Sequence, residues 1–167
     1  MSKAFTREDD LFEEPLRPSP RPLLPAGVKN YMTPAGHERM RAELARLKDE
    51  RPQLVEGTLT DVELRRELAQ LDQRISSLER SLAGAEVVPA PNPPGDLVRF
   101  GSTVTVRDGR GETMRYRIVG VDEADFARDE VSWRSPIARA LLNARLGQRV
   151  PFRFPSGSTE LEILRIE

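Results

Sequence analysis

Two apolar stripes at heptad spacing, set apart by a few turn residues, constrain this chain more than any other feature. Met40, Leu44, Leu47, Arg51 and Leu54 follow steps of 4, 3, 4 and 3, and Leu64, Leu68, Leu71, Ile75, Leu78 and Leu82 keep that alternation up to Gly84. Such spacing keeps one helix face apolar, and a lone helix would leave the stripe in water. Two stripes on a tight connection can cover each other, so the pattern predicts an antiparallel coiled-coil hairpin. Local signals agree at the ends. Thr33-Pro34 supplies an N-cap and then proline at the first helical position, where no amide is missed. Thr60-Asp61-Val62-Glu63 is a capping box, and Gly84 is a natural stop. Each arm, about 23 residues long, would reach roughly 34 Å. Pro52 lies inside the first arm and predicts a kink or local break near Glu50 to Pro52.

Around the hairpin, assigned to residues 31–86, the pattern changes. Residues 1–30 join an acidic patch (Glu8, Asp9, Asp10, Glu13, Glu14) to a proline series (Pro15, Pro18, Pro20, Pro22, Pro25). They hold too few periodic apolar residues to order themselves, which predicts a disordered arm: a solvated tail first, with a tether touching a partner through Phe5, Leu11 and Phe12 as the alternative. Residues 87–96, with Pro89, Pro91, Pro93, Pro94 and Gly95, read as a linker. Residues 97–167 alternate instead. Val98, Phe100, Val104 and Val106 read as strand, Asp108-Gly109-Arg110-Gly111 as a turn, and Thr113 to Val121 as a second strand. Ile137 to Leu146 reads as a short helix, and Arg149 to Phe154 and Glu160 to Ile166 as closing strands. The expected class is α+β, a helical hairpin followed by an antiparallel sheet domain with a short helix. Phe100, Tyr116, Phe126, Trp133, Phe152 and Phe154 are expected in its core.

Composition narrows the function. At 38% hydrophobic and 32% charged, 167 residues suit a small domain with an appendage. No apolar run is long enough for a membrane span and no signal-peptide stretch opens the chain, so a cytoplasmic protein with no membrane role is expected. The absence of cysteine excludes thiol nucleophiles and disulfides. His37 is the sole imidazole and reads as a polar helix position, not a catalytic base. A net charge of −1, from 26 basic and 27 acidic residues, argues against tight direct binding to duplex nucleic acid and favours a protein partner.

Four stretches then carry a resemblance: Met32-Thr33-Pro34-Ala35-Gly36 leading to Leu44, Leu47 and Arg51-Pro52; Phe100 to Val106; Tyr116-Arg117-Ile118-Val119-Gly120-Val121-Asp122-Glu123-Ala124-Asp125; and Ser135-Pro136-Ile137-Ala138-Arg139-Ala140-Leu141-Leu142. In order and spacing the chain resembles the Gre family (GreA/GreB-like) of bacterial transcription elongation factors. The resemblance implies an FKBP-like C-terminal domain that docks on the rim of the RNA polymerase secondary channel, and a hairpin that inserts toward the catalytic centre. It implies docking residues at Ser135, Pro136, Ile137 and Ala138, preceded by Arg134 where the GreB type has aspartate; a reversed rim charge alters partner choice or on-rate. A monomer is expected. In family members with cleavage activity, tip carboxylates hold a Mg²⁺ shared with the polymerase centre, which hydrolyses its own backtracked transcript.

The tip departs from that pattern. Cleavage factors carry a Gly-Asp-Leu/Arg-Ser-Glu-Asn type tip, and here the stretch is Gly57-Thr58-Leu59-Thr60-Asp61-Val62-Glu63, with Thr58 in place of the first acid. The hairpin also counts about a dozen residues shorter, which would stop its end roughly 9 Å short at 1.5 Å per residue. Glu56, Asp61 and Glu63 are the tip's candidate Mg²⁺-positioning groups, but Asp61 and Glu63 also suit the helix start. The expectation is a regulator with weak or no cleavage stimulation, no catalytic residue and no cofactor of its own. An active cleavage factor, a relative of the nucleoside diphosphate kinase regulators and a prolyl isomerase stay open as alternatives.

Overall fold

The computed structural model describes residues 24–167; the acidic patch, most of the proline series, and Phe5, Leu11 and Phe12 lie outside the described residues. The heptad stripes become α1 (Pro34–Val55) and α2 (Asp61–Ala83), joined by residues 56–60. Met40, Leu47, Leu71 and Leu78 are buried along the seam, with Leu44, Leu54, Ile75 and Leu82 packed beside them. Arg51 does not enter the seam. Its guanidinium donates to the Asp72 carboxylate of the facing helix at 2.7 and 3.1 Å, which holds that carboxyl below the usual range. Lys48 pairs with Glu79 at 2.6 Å, and Arg74 pairs with Glu43. These pairs are largely exposed and screened by solvent, so they fix register while the apolar seam supplies the attraction.

The expected break at Pro52 is absent, for α1 runs through it to Val55. Proline costs a helix one amide and crowds the preceding turn. Here it stands in the last turn, its missing amide frees only the carbonyl of exposed Lys48, and its own carbonyl accepts from the Glu56 amide at 3.1 Å.

Beyond the hairpin, β3 (Thr103–Arg107), β4 (Thr113–Val119), β5 (Glu130–Ser132), β6 (Arg149–Phe154) and β7 (Gly157–Ile166) form one sheet in the order β5-β4-β3-β7-β6. It is antiparallel as expected at β3–β4, β3–β7 and β6–β7, whereas β4 and β5 run parallel. Val104, Val106, Ile118, Leu161 and Ile163 face one side and bury against Ala138 and Leu141 of α3 (Pro136–Leu141). Period-2 alternation explains which strand residues turn inward.

Three local expectations are corrected. Val98 and Phe100 lie outside the strands: the Val98 amide donates to the Ala144 carbonyl and its carbonyl accepts from the Asn143 amide, both at 2.9 Å. Those bonds also end α3 at Leu141 and not near Leu146, since Asn143 takes a left-handed φ of 65° that turns the chain toward Val98. Phe126 is not in the core but 92% exposed, on a 3₁₀ turn (Phe126–Arg128) braced by the Asp125 carboxylate, and Phe154 is 38% exposed. Phe100, Tyr116, Trp133 and Phe152 do pack against the core.

Hairpin and sheet domain meet at a junction made of short pieces. β1 (Asn30–Met32) and β2 (Ala85–Val87) pair in parallel at the base of the helices. Tyr31 of β1 packs its ring on Phe100 (5.8 Å) and edge-on to Trp133 (5.5 Å). The Glu123 carboxylate accepts from the Thr33 amide at 2.9 Å, from the Thr33 hydroxyl, and from the Gly120 amide at 2.7 Å. Arg39 of α1 donates to Glu130 of β5 at 3.2 Å, and Ser81 of α2 bonds to Asp122. A buried carboxylate with three donors holds far better than the exposed pairs of the hairpin.

Candidate functional site

The far end of the hairpin is built by two helix termini. Glu56 caps α1, its amide donating to the Pro52 carbonyl at 3.1 Å, and Asp61 opens α2 as an exposed residue. The capping box forms with unequal halves. The Glu63 carboxylate accepts from the Thr60 amide at 3.1 Å and hydroxyl at 2.7 Å, whereas the Glu63 amide lies 3.5 Å from the Thr60 oxygen, at the limit of a hydrogen bond. The Thr60 hydroxyl, then the Thr60 amide, hold the Glu63 carboxyl below its ordinary value. Glu63 is therefore committed to its own helix. Among the described residues, no three His, Asp or Glu side chains gather closely enough to hold a metal ion. Beside the exposed Glu56 and Asp61 the tip presents apolar side chains: Val62 is 79% exposed, Val55 50% and Leu59 43%.

Thr60→Ala removes the weaker half and one partner of Glu63, so a loss of about 0.5–1 kcal/mol is expected in denaturant unfolding. The sign of the pH dependence follows from the lowered carboxyl. Its contribution is complete above the ordinary glutamate value of about 4.3 and is lost as pH falls through the lowered value. The difference between Thr60→Ala and the parent should therefore shrink in strong acid, followed by helical circular dichroism.

On the sheet domain, the loop before α3 carries Arg134, Ser135, Pro136, Ile137 and Ala138. Ser135 is the N-cap, accepting from the Ala138 amide at 3.2 Å, and Pro136 is the first helical residue. The Arg134 amide donates to the Ser132 hydroxyl at 3.2 Å. Ala138 is fully buried and Ile137 packs on the core, so Arg134, Ser135 and exposed Pro136 form the accessible part. The hairpin tip and this loop belong to different elements and form no common site among the described residues. His37 is half-buried in the first turns of α1, its amide bonded to the Thr33 carbonyl at 2.9 Å. The junction residue Glu123 was not singled out from the sequence; its only local signal is its place between Gly120 and Asp125 in one of the four quoted stretches.

A helical hairpin keyed at its base to a small α+β domain defines a two-part protein. The family described as "Transcription elongation factor, GreA/GreB, C-term" matches residues 92–167. Transcription elongation factor GreB of Neisseria meningitidis serogroup A is 38% identical over 154 residues, covering 84% of this chain and 94% of that protein. Transcription elongation factor GreA of Legionella pneumophila strain Lens is 36% identical over 154 residues, covering 83% and 96%. The chain belongs to the GreA/GreB family of transcription elongation factors. Among solved structures, the transcription factor Gfh1 aligns with 25% identity and a TM-score of 0.41 over 84% of this chain and 98% of that one.

Proposed function

We propose that this protein is a non-enzymatic regulator that binds RNA polymerase through residues 97–167 at the rim of the secondary channel and directs its hairpin into or near that channel, with weak or no stimulation of transcript cleavage. The observation that carries this reading is the chemistry of the tip. A second Mg²⁺ at the polymerase centre demands oxygen ligands near 2.0–2.1 Å in strict geometry. Thr58 offers a hydroxyl where the cleavage factors offer an acid, Glu63 is held by Thr60, and among the described residues Asp61 belongs to no group of three such ligands. This donor set does not fit the ion. The shorter hairpin expected from the sequence points the same way, since a tip that stops roughly 9 Å early would not reach the catalytic centre.

A tip with Val55, Leu59 and Val62 outward acts instead by occupying space and by apolar contact inside the channel, modulating initiation, pausing or substrate access. Contact with nucleic acid is indirect, within the polymerase complex, and the protein works as a monomer. Among the described residues no helix is long and apolar enough to cross a membrane. The test uses backtracked elongation complexes mixed with the purified protein. The polymerase should co-purify with it, and transcripts should keep their length with the parent and with Asp61→Ala alike. Strong shortening that disappears on Asp61→Ala would sink the non-cleaving reading, and failure to retain polymerase would sink the docking.

A further inference from the structure

We propose that Glu123 is the positioning residue that sets the angle of the hairpin on the sheet domain, and so decides where the tip arrives once the protein is docked. The second half of that statement rests on the docking reading above; the first half concerns the free protein. Glu123 belongs to the sheet domain, yet its side chain, 1% exposed, ends at the first turn of α1. One oxygen takes two amides, Thr33 of the hairpin and Gly120 of the sheet domain, and the other takes the Thr33 hydroxyl. That hydroxyl in turn accepts from the Gly36 amide at 3.0 Å. The chain of bonds thus runs from Gly120, the residue after β4, through one carboxylate into the helix.

Charge explains why an acid is used. α2 carries Asp61 and Glu63 in its first turn, whereas α1 carries no acid there. The positive end of α1 is met by the carboxylate of the other domain. Arg39, one turn further along, stands 4.0 Å from Glu123 and bonds to Glu130, which adds a second tie on the same side.

Two glycines make the room. A Cβ on Gly36 would fall inside the Glu123 carboxyl group, and one on Gly120 would lie 2.6 Å from its other oxygen. Glycine ordinarily weakens a helix relative to alanine, so Gly36 in α1 is explained by what it admits. Glu123 cannot swing aside without leaving three donors unpaired in a buried site. The lever magnifies any slack. A turn of about 10° at the base of a helix roughly 33 Å long moves its far end by about 6 Å.

The test uses the native absence of cysteine. Spin labels on Val62→Cys at the tip and Leu146→Cys on the sheet domain, 79% and 53% exposed in the parent, report the inter-domain distance by pulsed electron resonance with no polymerase present. The parent should give one narrow distribution. Glu123→Gln keeps the shape but turns an amide NH₂ toward donors, so the distribution should broaden or shift while circular dichroism keeps its helix and sheet signals. Should Glu123→Gln not fold, Thr33→Ala, which removes one donor, is read on the same labels. An unchanged narrow distribution in the folded variant overturns the proposal.

A second readout is a change of sign. Gly36→Ala should lower the melting temperature in the Glu123 background and raise it in Glu123→Ala, where the three atoms nearest the added carbon are gone and alanine's helix preference prevails. The same sign in both backgrounds also overturns the proposal. Polymerase retention is measured separately on each variant: failure there removes the docking reading and leaves the distances standing.

Discussion

Truncating Leu78 to alanine is expected to destabilise the hairpin by about 2–5 kcal/mol, the range for a leucine whose site cannot collapse around the void. Leu78 is 1% exposed and lies in a cluster with Met32, Met40, Leu47 and Leu71, near the base where β1 and β2 close the helices. Toward the tip the seam loosens, for Leu64 and Leu68 are only half-buried. Leu64→Ala should therefore cost less, below about 2 kcal/mol, because less apolar surface leaves water there on folding. Hydrogen exchange distinguishes this from a general loss of stability. The cluster around Leu78 is separate from that of Val98, Ile118 and Ile163, so α1 and α2 amides should lose protection first while β3 and β7 keep theirs. Equal loss across both would mean that the two clusters unfold as one unit.

The hairpin was legible because its information is local and periodic. Heptad spacing, the Thr33-Pro34 start, the Thr60 to Glu63 box and the Gly84 stop each act within a turn or two, and each has its expected place. Pro52 misled because a proline's cost depends on its distance from the helix end, and the end lay one turn on. The sheet strands with clean alternation, Thr103–Arg107 and Arg149–Phe154, were legible for the same reason. β1 and β2 were not, since three residues cannot display a period and their partners are far apart in sequence. The parallel β4–β5 pairing and the exposed Phe126 depend on how residues 120–129 travel, which bonds such as that from the Asp125 carboxylate to the Ala127 amide decide.

The same limit hid the junction. Thr33 and Glu123 stand 90 positions apart, and nothing in either neighbourhood asks for the other. Thr33 was read as a cap for α1, and it is one, but its hydroxyl also donates to Glu123. At the tip the reverse holds. The double use of Glu63, as acid and as cap, was visible in the sequence, and the hydrogen bonds to Thr60 show the cap in place.

Gly120→Ala should be the most damaging single-atom addition in the sheet domain. Its Cβ would press on the Tyr31 carbonyl, a backbone atom of β1, as well as on the Glu123 carboxylate at 2.6 Å. Tyr31 cannot retreat alone: its ring is packed on Phe100 and Trp133, and its neighbour Met32 is fully buried in the hairpin cluster. Overpacking against side chains costs about 1–3 kcal/mol, and a clash with a backbone atom whose residue is anchored on both sides belongs at or above the top of that range. For a chain of this size about 3 kcal/mol lowers the melting temperature by roughly 6–12 °C. Gly95→Ala, with no heavy atom within 4 Å of the added carbon, is the control and should stay within a degree or two of the parent by the same conversion. Trp133, the single tryptophan, packs on Tyr31 and gives a local signal of the junction opening. If its fluorescence in Gly120→Ala matches the parent while the melting temperature is unchanged, β1 yields freely and the base of the hairpin is not held by packing at Tyr31.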